Sequence, residues 1–474
     1  FDGELQITCE QAPQLNQLQK VVLSTSLTNQ HVSVNLTLEN PKRWWPNGLG
    51  DAFLYDFNFA LVKGTQVLAS HTLAVGLREI EVVNQAVDMG ESFYFKVNGH
   101  PVFMKGANYI PDDSFIHRVS DARHQQIFDA VVAGNMNMLR VWGGGIYQDD
   151  TFYELADRNG ILIWQDFMFA CTLYPGDEEF LSNVRQEAQY NVKRLRNHPC
   201  IAMWCGNNEV DMAIEKWQWA EKFAYSDELY SRLKQDYMRL FDDCLPDVIK
   251  TLDSQRFYLR SSPIGFWEND EDNKANHHYW GVWHGEEPFT EYKKRIPRFM
   301  SEYGFQSFPI AESTYRFTRP EDRELDSAVM QVHQKHPRGN KLIRSYMDEE
   351  FHPPKDFEQL LYLSQVQQAL GLKMAFEAHR KAMPFCMGTL YWQLNDTWPA
   401  ASWSGIDYYG HWKALHYQAK RSFAQQLLVI EQSDNHLDVT LVSDDLTTFP
   451  ATLQVTIYQF TGDILWSHKQ SVIV

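Results

Sequence analysis

From about residue 97 the chain repeats one unit: a short apolar run patterned like a buried strand, then an amphipathic stretch with the period of a helix. Few folds accept that repetition, because strands buried on both faces pair in parallel and each return must cross over through a helix. Strand-like runs fall near Val102–Tyr109, Met136–Trp142, Ile161–Phe167, Ile201–Glu209, Arg256–Ser262, His277–Val282, Arg298–Phe305 and Met387–Asn395. Eight such runs with helices between them predict a (β/α)8 TIM barrel over residues 91–423. Ser120 caps a helix carrying Ile127 and Val131, and Asp149-Asp150-Thr151 opens another, carrying Phe152, Leu155 and Ala156, that Gly160 stops. Val366, Leu370, Met374 and Ala378 mark the stripe of a third.

The flanks read differently. Within residues 1–90, Val32, Val34, Leu36 and Leu38 alternate with Ser33, Asn35, Thr37 and Glu39, and turn signals stand at Asn40-Pro41, Pro46-Asn47-Gly48 and Lys63-Gly64. A small β-sandwich is expected there, with Trp44-Trp45 in its packing. Alternation returns within 424–474, in Leu437-Val439-Leu441 and Leu453-Val455-Ile457, and predicts the start of a second β-sandwich. The stretch 305–358, broken by Pro309, Pro320, Pro337, Pro353 and Pro354, reads as an insertion near the barrel mouth.

Composition narrows the partners. With 43 Lys+Arg against 61 Asp+Glu the net charge is -18, and no basic cluster is present to follow a phosphate backbone, which argues against nucleic acid. No apolar run reaches the roughly 18 residues of a membrane-spanning helix, so a soluble protein is expected, with its compartment and oligomeric state left open. Cys9, Cys171, Cys200, Cys205, Cys244 and Cys386 lack paired metal spacing and read as reduced core thiols. The opening Phe1-Asp2-Gly3-Glu4-Leu5 has no signal-peptide layout, and the chain reads as beginning partway through a longer protein. The 15 tryptophans, several beside amides and carboxylates, suit a ligand with apolar faces and hydroxyl edges.

Barrel chemistry gathers at the C-terminal strand ends, here Asn108, Asp112, Arg140, Trp142, Asp166, Asn208, Glu209, His278, Trp280, Glu302, Trp392, Asn395 and Asp396. Glu209 closes Trp204-Cys205-Gly206-Asn207-Asn208, and Glu302 lies in Met300-Ser301-Glu302-Tyr303-Gly304. On strands four and seven they would face each other across the mouth. Two facing carboxyl groups suit glycoside hydrolysis, with Glu209 as proton donor and Glu302 as a nucleophile kept ionised by a cation such as Arg140. Asn208 is placed to hold a sugar hydroxyl. Either glutamate alone could equally be an exposed rim residue, and Trp142 and Trp392 alone could be barrel packing. His277-His278 lacks a third metal ligand at a recognisable spacing, so no metal is expected. Gly143-Gly144-Gly145 is not followed by Lys-Ser/Thr, so it reads as a sharp turn over the rim rather than a phosphate loop.

Five longer motifs carry a resemblance: Gly106-Ala107-Asn108-Tyr109-Ile110-Pro111-Asp112, Leu139-Arg140-Val141-Trp142-Gly143-Gly144-Gly145, Trp204-Cys205-Gly206-Asn207-Asn208-Glu209, Ser301-Glu302-Tyr303-Gly304-Phe305-Gln306-Ser307 and Tyr391-Trp392-Gln393-Leu394-Asn395-Asp396-Thr397-Trp398-Pro399. Together they resemble the β-mannosidase branch of glycoside hydrolase family 2. The resemblance implies a retaining exo-enzyme that removes terminal β-D-mannose without metal or organic cofactor, with Glu209 as acid/base and Glu302 as nucleophile. It implies sugar-binding roles for Arg140, Trp142, Asn208, Trp217 and Trp392, and for His278, Trp280 and His284, where relatives vary. It also implies that residues 1–90 are immunoglobulin-like and that the family's N-terminal jelly-roll domain lies outside this chain. The alternatives are β-galactosidase, β-glucuronidase or exo-β-glucosaminidase activity, or a non-catalytic carbohydrate-binding fragment.

Overall fold

The computed structural model of the chain describes residues 2–22, 31–269, 271–434 and 436–474. Four antiparallel strands come first, β1 (Asp2–Cys9), β2 (Gln17–Val22), β3 (Tyr55–Lys63) and β4 (Gln66–Val75), in the order β2-β1-β3-β4. Ile7, Cys9, Tyr55 and Phe57 turn inward to a small core. The run expected as a strand through Val32 and Leu38 makes no ladder, although Val34, Leu36 and Leu38 pack against this core. Alternation requires only an apolar surface on one side; a ladder also requires a neighbouring edge with free N–H and C=O groups.

Next come β5 (Ile80–Val83), the two-residue strands β6 (Ala86–Val87) and β7 (Gly90–Glu91), then β8 (Tyr94–Val97) and β9 (His100–Val102); β5, β8 and β9 form one antiparallel sheet. The largest sheet follows. It is wholly parallel and has nine strands: β10 (Met104–Tyr109), β11 (Met138–Val141), β12 (Leu162–Asp166), β13 (Ile201–Cys205), β14 (Tyr258–Leu259), β15 (Gly265–Phe266), β16 (Asn276–His278), β17 (Phe299–Glu302) and β18 (Gly388–Tyr391). First and last strands meet, since β10 pairs with both β11 and β18. The outer strands β14 and β15 are successive pieces of one segment: the Gly206 amide donates to the Leu259 carbonyl on one side, and the Ile264 amide to the Asn276 carbonyl on the other. The sheet is therefore TIM-barrel-like, with its strand C-termini on one rim.

Helices cover it. In α1 (Asp121–Ala133) the Ser120 hydroxyl accepts from the Arg123 amide, and in α2 (Asp150–Asn159) the Asp149 carboxylate accepts from the Phe152 amide, caps worth about 1 kcal/mol each. Gly160 ends α2 at φ 67°, where a Cβ would also meet the Asn47 backbone nitrogen at 2.7 Å, and α3 (Glu178–Leu195) lies between β12 and β13. The long helix Phe357–Lys381 forms where its apolar period places one, but with another face inward. Leu370 is 43% exposed, whereas Ser364, Gln365 and Gln368 are buried beside Leu361, Leu372 and Phe376. Gln368 Nε2 donates to the Phe305 carbonyl and Ser364 Oγ accepts from the Phe308 amide, so the inward face is polar where it meets barrel backbone.

The floor of the barrel is aromatic. Phe93 and Phe95 rise from the β5-β8-β9 sheet against Trp164 and Phe299, with Phe93 and Phe299 centroids 5.4 Å apart, and all four rings are buried. Trp44 joins this cluster and donates from Nε1 to the Asp157 carbonyl, fastening the N-terminal strands to α2. Segment 305–358 carries three short helices, and its His336 ring packs near His284 and Trp403 at the mouth. After the barrel come two antiparallel hairpins, β19 (Gln426–Ser433) with β20 (His436–Ser443) and β21 (Pro450–Tyr458) with β22 (Ile464–Ile473), each a separate two-stranded sheet. Asp444, just past β20, accepts from Lys105 at 2.7 Å and forms an ion pair with Arg380 at 2.8 Å beneath the barrel.

Candidate active site

Strand β13 is apolar and buried from Ile201 to Cys205, and the chain beyond it keeps pairing: Asn208 bridges to Ala170 and to Ser262. Glu209 then turns into α4 (Val210–Lys216) with φ 60°, a left-handed conformation that costs a non-glycine residue about 1 kcal/mol or more and aims its side chain at the mouth. Its Oε1 lies 2.8 Å from Nδ1 of His278, and its Oε2 lies 3.6 Å from the Cys171 thiol. Glu302 ends β17. Arg140 Nη1 donates to its Oε2 at 3.0 Å and Trp280 Nε1 to its Oε1 at 3.1 Å.

Arg140 is the hub. Fully buried on β11, it donates twice to Asp166, once to Asn108 at 3.0 Å and once to Asn208 at 2.8 Å, and its guanidinium stands 5.8 Å above the Trp164 ring. Burial works against its charge, yet Asp166 and Glu302 hold it protonated, above its ordinary value. Asn208 is thus spent on Arg140 and on Cys171 Sγ, 3.3 Å from its Nδ2, and helps orient the guanidinium. Gly143 is needed because a Cβ there would meet the Phe169 and Phe167 carbonyls at 2.6 and 2.7 Å. Close approach, rather than a left-handed turn, requires this glycine.

Burial pushes the Glu209 carboxyl up to about 7, against the pull of Arg140 and Cys171. Glu302 is also raised, by burial and by the charge of Glu209, while His278 and Arg140 oppose the rise. Only Glu302 accepts a charged donor, so a proton shared by the pair rests on Glu209. Burial lowers His278 to about 3, and the ring is neutral. One ligand atom each from Glu209, His278 and Glu302 lie within 4.8 Å of one another. Those three could hold a cation in geometric terms, but the Arg140 guanidinium already supplies the positive charge there. Asp157, His198 and Cys200 are similarly close, with Asp157 already engaged by the His198 ring at 2.6 Å and the Cys200 amide at 2.9 Å.

A cavity of about 510 Å³ opens over the carboxylates, lined by Glu209, Glu302, Trp217, Trp280, His284 and Trp392 among the residues singled out in the sequence. Arg140, Asn208 and His278 lie beneath or behind that lining, and Trp142 packs edge-on against Trp392 at 5.0 Å with its Nε1 buried and unpartnered. Met212, Lys222, Trp267, Glu268 and Trp403 also line the cavity and were not anticipated. Trp267-Glu268 carried the aromatic-then-acid pattern of a strand end; Trp403 lies in a loop and left no periodic mark. Cys171 departs from the expected core thiol, since it is exposed at the mouth beside Glu209 and Asn208 while the other five cysteines are buried. It follows β12 in a loop, where apolar sequence context does not report burial.

Residues 3–78 match the family described as Glycosyl hydrolases family 2. The chain is 37% identical over 425 residues to the β-mannosidase of Capra hircus, an alignment covering 85% of this chain and 48% of the relative. It is 36% identical over 397 residues to β-mannosidase B of Aspergillus niger, covering 82% of this chain and 47% of the relative. Among solved structures, the β-D-mannosidase of Dictyoglomus thermophilum superposes with a TM-score of 0.87 at 36% identity, over 100% of this chain and 58% of that one. The chain spans about half the length of the curated relatives it matches.

Proposed function

Because the chain belongs to glycoside hydrolase family 2, we propose that it is the catalytic core of a retaining exo-β-mannosidase, hydrolysing terminal non-reducing β-D-mannose through a covalent glycosyl-enzyme intermediate. The supporting observation is the approach of the Glu209 and Glu302 carboxylates to within 4.8 Å. Direct attack by one carboxylate needs a separation of about 5 Å, whereas admitting a water between them needs about 6.5 Å or more. In this reading Glu302 attacks the anomeric carbon as Glu209 protonates the departing oxygen; Glu209, now a carboxylate, then takes a proton from the water that releases the sugar. Arg140 and Trp280 place Glu302, His278 and Cys171 place Glu209, and Trp217, His284 and Trp392 contact the substrate. Asn208 acts through Arg140 unless substrate binding frees its amide, and Trp142 has one unpartnered N–H to offer a hydroxyl.

Mannose as the sugar is supported by the similarity to proteins named β-mannosidase. The same reading divides the chain into an immunoglobulin-like β-sandwich at 1–90, a closed (β/α)8 barrel at 91–423 and the start of a β-sandwich at 424–474. A panel of nitrophenyl β-glycosides tests the substrate: mannoside is expected to be cleaved fastest, and faster release from the galactoside, glucuronide or glucosaminide would overturn the assignment. Proton NMR of the first-formed product tests the mechanism, with the β-anomer expected and the α-anomer fatal to it.

A further inference from the structure

At the end of the barrel away from the mouth, where Ile201 begins β13, a cavity of about 190 Å³ is lined by Arg78, Glu79, Asp253, Gln255 and Arg256 among others. Arg78 stands between β4 and β5, where the chain leaves the N-terminal sheet, and Arg256 stands in the turn before β14. Both guanidiniums reach the segment that enters β13. Arg78 donates from Nε to the Pro199 carbonyl at 3.0 Å and from Nη2 to the Ile201 carbonyl at 3.1 Å. Arg256 donates to the carbonyls of Ile201 and Arg196.

The charges lining this cavity do not match one for one. Asp253 is taken by Arg256 at 2.9 Å and also accepts from Trp204 Nε1. Glu79 turns outward to Arg43 at 3.2 Å, and Asp157 is held by the His198 ring at 2.6 Å. Among the described residues no carboxylate pairs with Arg78, whose hydrogen bonds go to carbonyls alone. Burial and the charge of Arg256 pull the Arg78 guanidinium down to about 10, the direction expected of a cation short of its counter-charge. In a chain of net charge -18 this is a local reversal of sign.

Guanidinium nitrogens carry more hydrogens than these carbonyls use, so donors remain on Arg78 and Arg256. Two planar forks at one cavity suit a tetrahedral oxyanion, which accepts from both at once. Gln255 is exposed at the rim, with an amide to offer a further oxygen. We propose that Arg78, Arg256 and Gln255 form a binding site for inorganic phosphate at the base of the barrel. Phosphate there supplies the counter-charge that Arg78 lacks, and it ties the exit of the N-terminal sheet to the turn before β14. Occupancy therefore stabilises the joint between sheet and barrel.

The test is calorimetric titration of the full chain with inorganic phosphate, with ionic strength held constant by sodium chloride, alongside the melting temperature. The parent chain should bind at one site and melt higher as phosphate is added. Gln255→Glu brings a negative charge to the rim without removing a buried contact, and Arg78→Met removes the unmatched cation. Each should weaken phosphate binding about tenfold or more. The Gln255→Glu variant keeps the test open if Arg78→Met does not fold. A parent chain that shows neither heat nor a melting shift at millimolar phosphate overturns the site, as does a Gln255→Glu variant that binds as tightly as the parent. Equal stabilisation by chloride alone would mean screening of the net charge and overturns it as well.

Discussion

Nδ1 of His278 stands 2.8 Å from Oε1 of Glu209, and the same nitrogen is 3.8 Å from Oε2 of Glu302. A neutral ring facing two carboxylates is most favourable with its proton on Nδ1, and Nε2 then accepts from the Ser262 hydroxyl at 3.0 Å. That N–H occupies Oε1 of Glu209. In the proposed reaction Oε2, on the Cys171 side, is the oxygen left to carry the proton for the leaving group. His278→Ala removes a donor to the charged form of Glu209, so the carboxyl should rise above about 7 and the alkaline limb of the kcat/KM profile should move to higher pH. A fall of about tenfold to a hundredfold in kcat/KM at neutral pH should accompany it. A limb that stays in place would remove His278 from this role.

The two glutamates should fail differently. Glu302→Ala should abolish turnover of every mannoside by about three orders of magnitude or more, because no covalent intermediate can form. Glu209→Ala should spare the first step for a leaving group that needs no proton, and azide should then restore turnover as the β-mannosyl azide. Equal losses on activated and unactivated substrates in Glu209→Ala would sink the acid assignment.

Stability should carry the signature of Glu209 as well. Its folded value, about 7, lies above its ordinary 4.5, so the unfolded chain ionises first as pH rises. The stabilising effect of keeping this group neutral is complete below pH 4.5 and is lost as pH climbs through about 7, a change of about 3 kcal/mol. Glu209→Gln cannot ionise. Its advantage in urea denaturation over the parent chain should widen from pH 4.5 to pH 7 and then level off, and a gap independent of pH would contradict the raised value.

Beneath the barrel, Asp444 is the shared partner of two buried cations, Lys105 and Arg380. Asp444→Ala leaves both without their carboxylate and should destabilise the fold by about 3 kcal/mol or more, read as a lowered denaturant midpoint. A loss below about 1 kcal/mol would mean that water compensates the pair.

Much of this architecture was legible in residue order. Glu209 and Glu302 could be found because a buried strand that stops on a carboxylate is a local pattern, and Ser120, Asp149 and Gly160 mark helix ends by chemistry that acts within a single turn. Other features were not local. The long helix Phe357–Lys381 has its apolar stripe, yet barrel carbonyls needing donors draw Gln368 inward and leave Leu370 in water. The Val32–Leu38 run alternates without pairing.

By itself, then, the sequence determined where strands and helices form and which carboxylates end the strands, because propensity, capping and hydrophobic period act over a few neighbouring residues. Only the tertiary structure decided that Glu209 and Glu302 come within 4.8 Å, that His278 stands between them, and that Cys171, Trp267, Glu268 and Trp403 join the cavity. Those distances are set by how the parallel sheet curves about β10, which pairs with both β11 and β18, a curvature that depends on every strand at once and is recorded in no single stretch of chain.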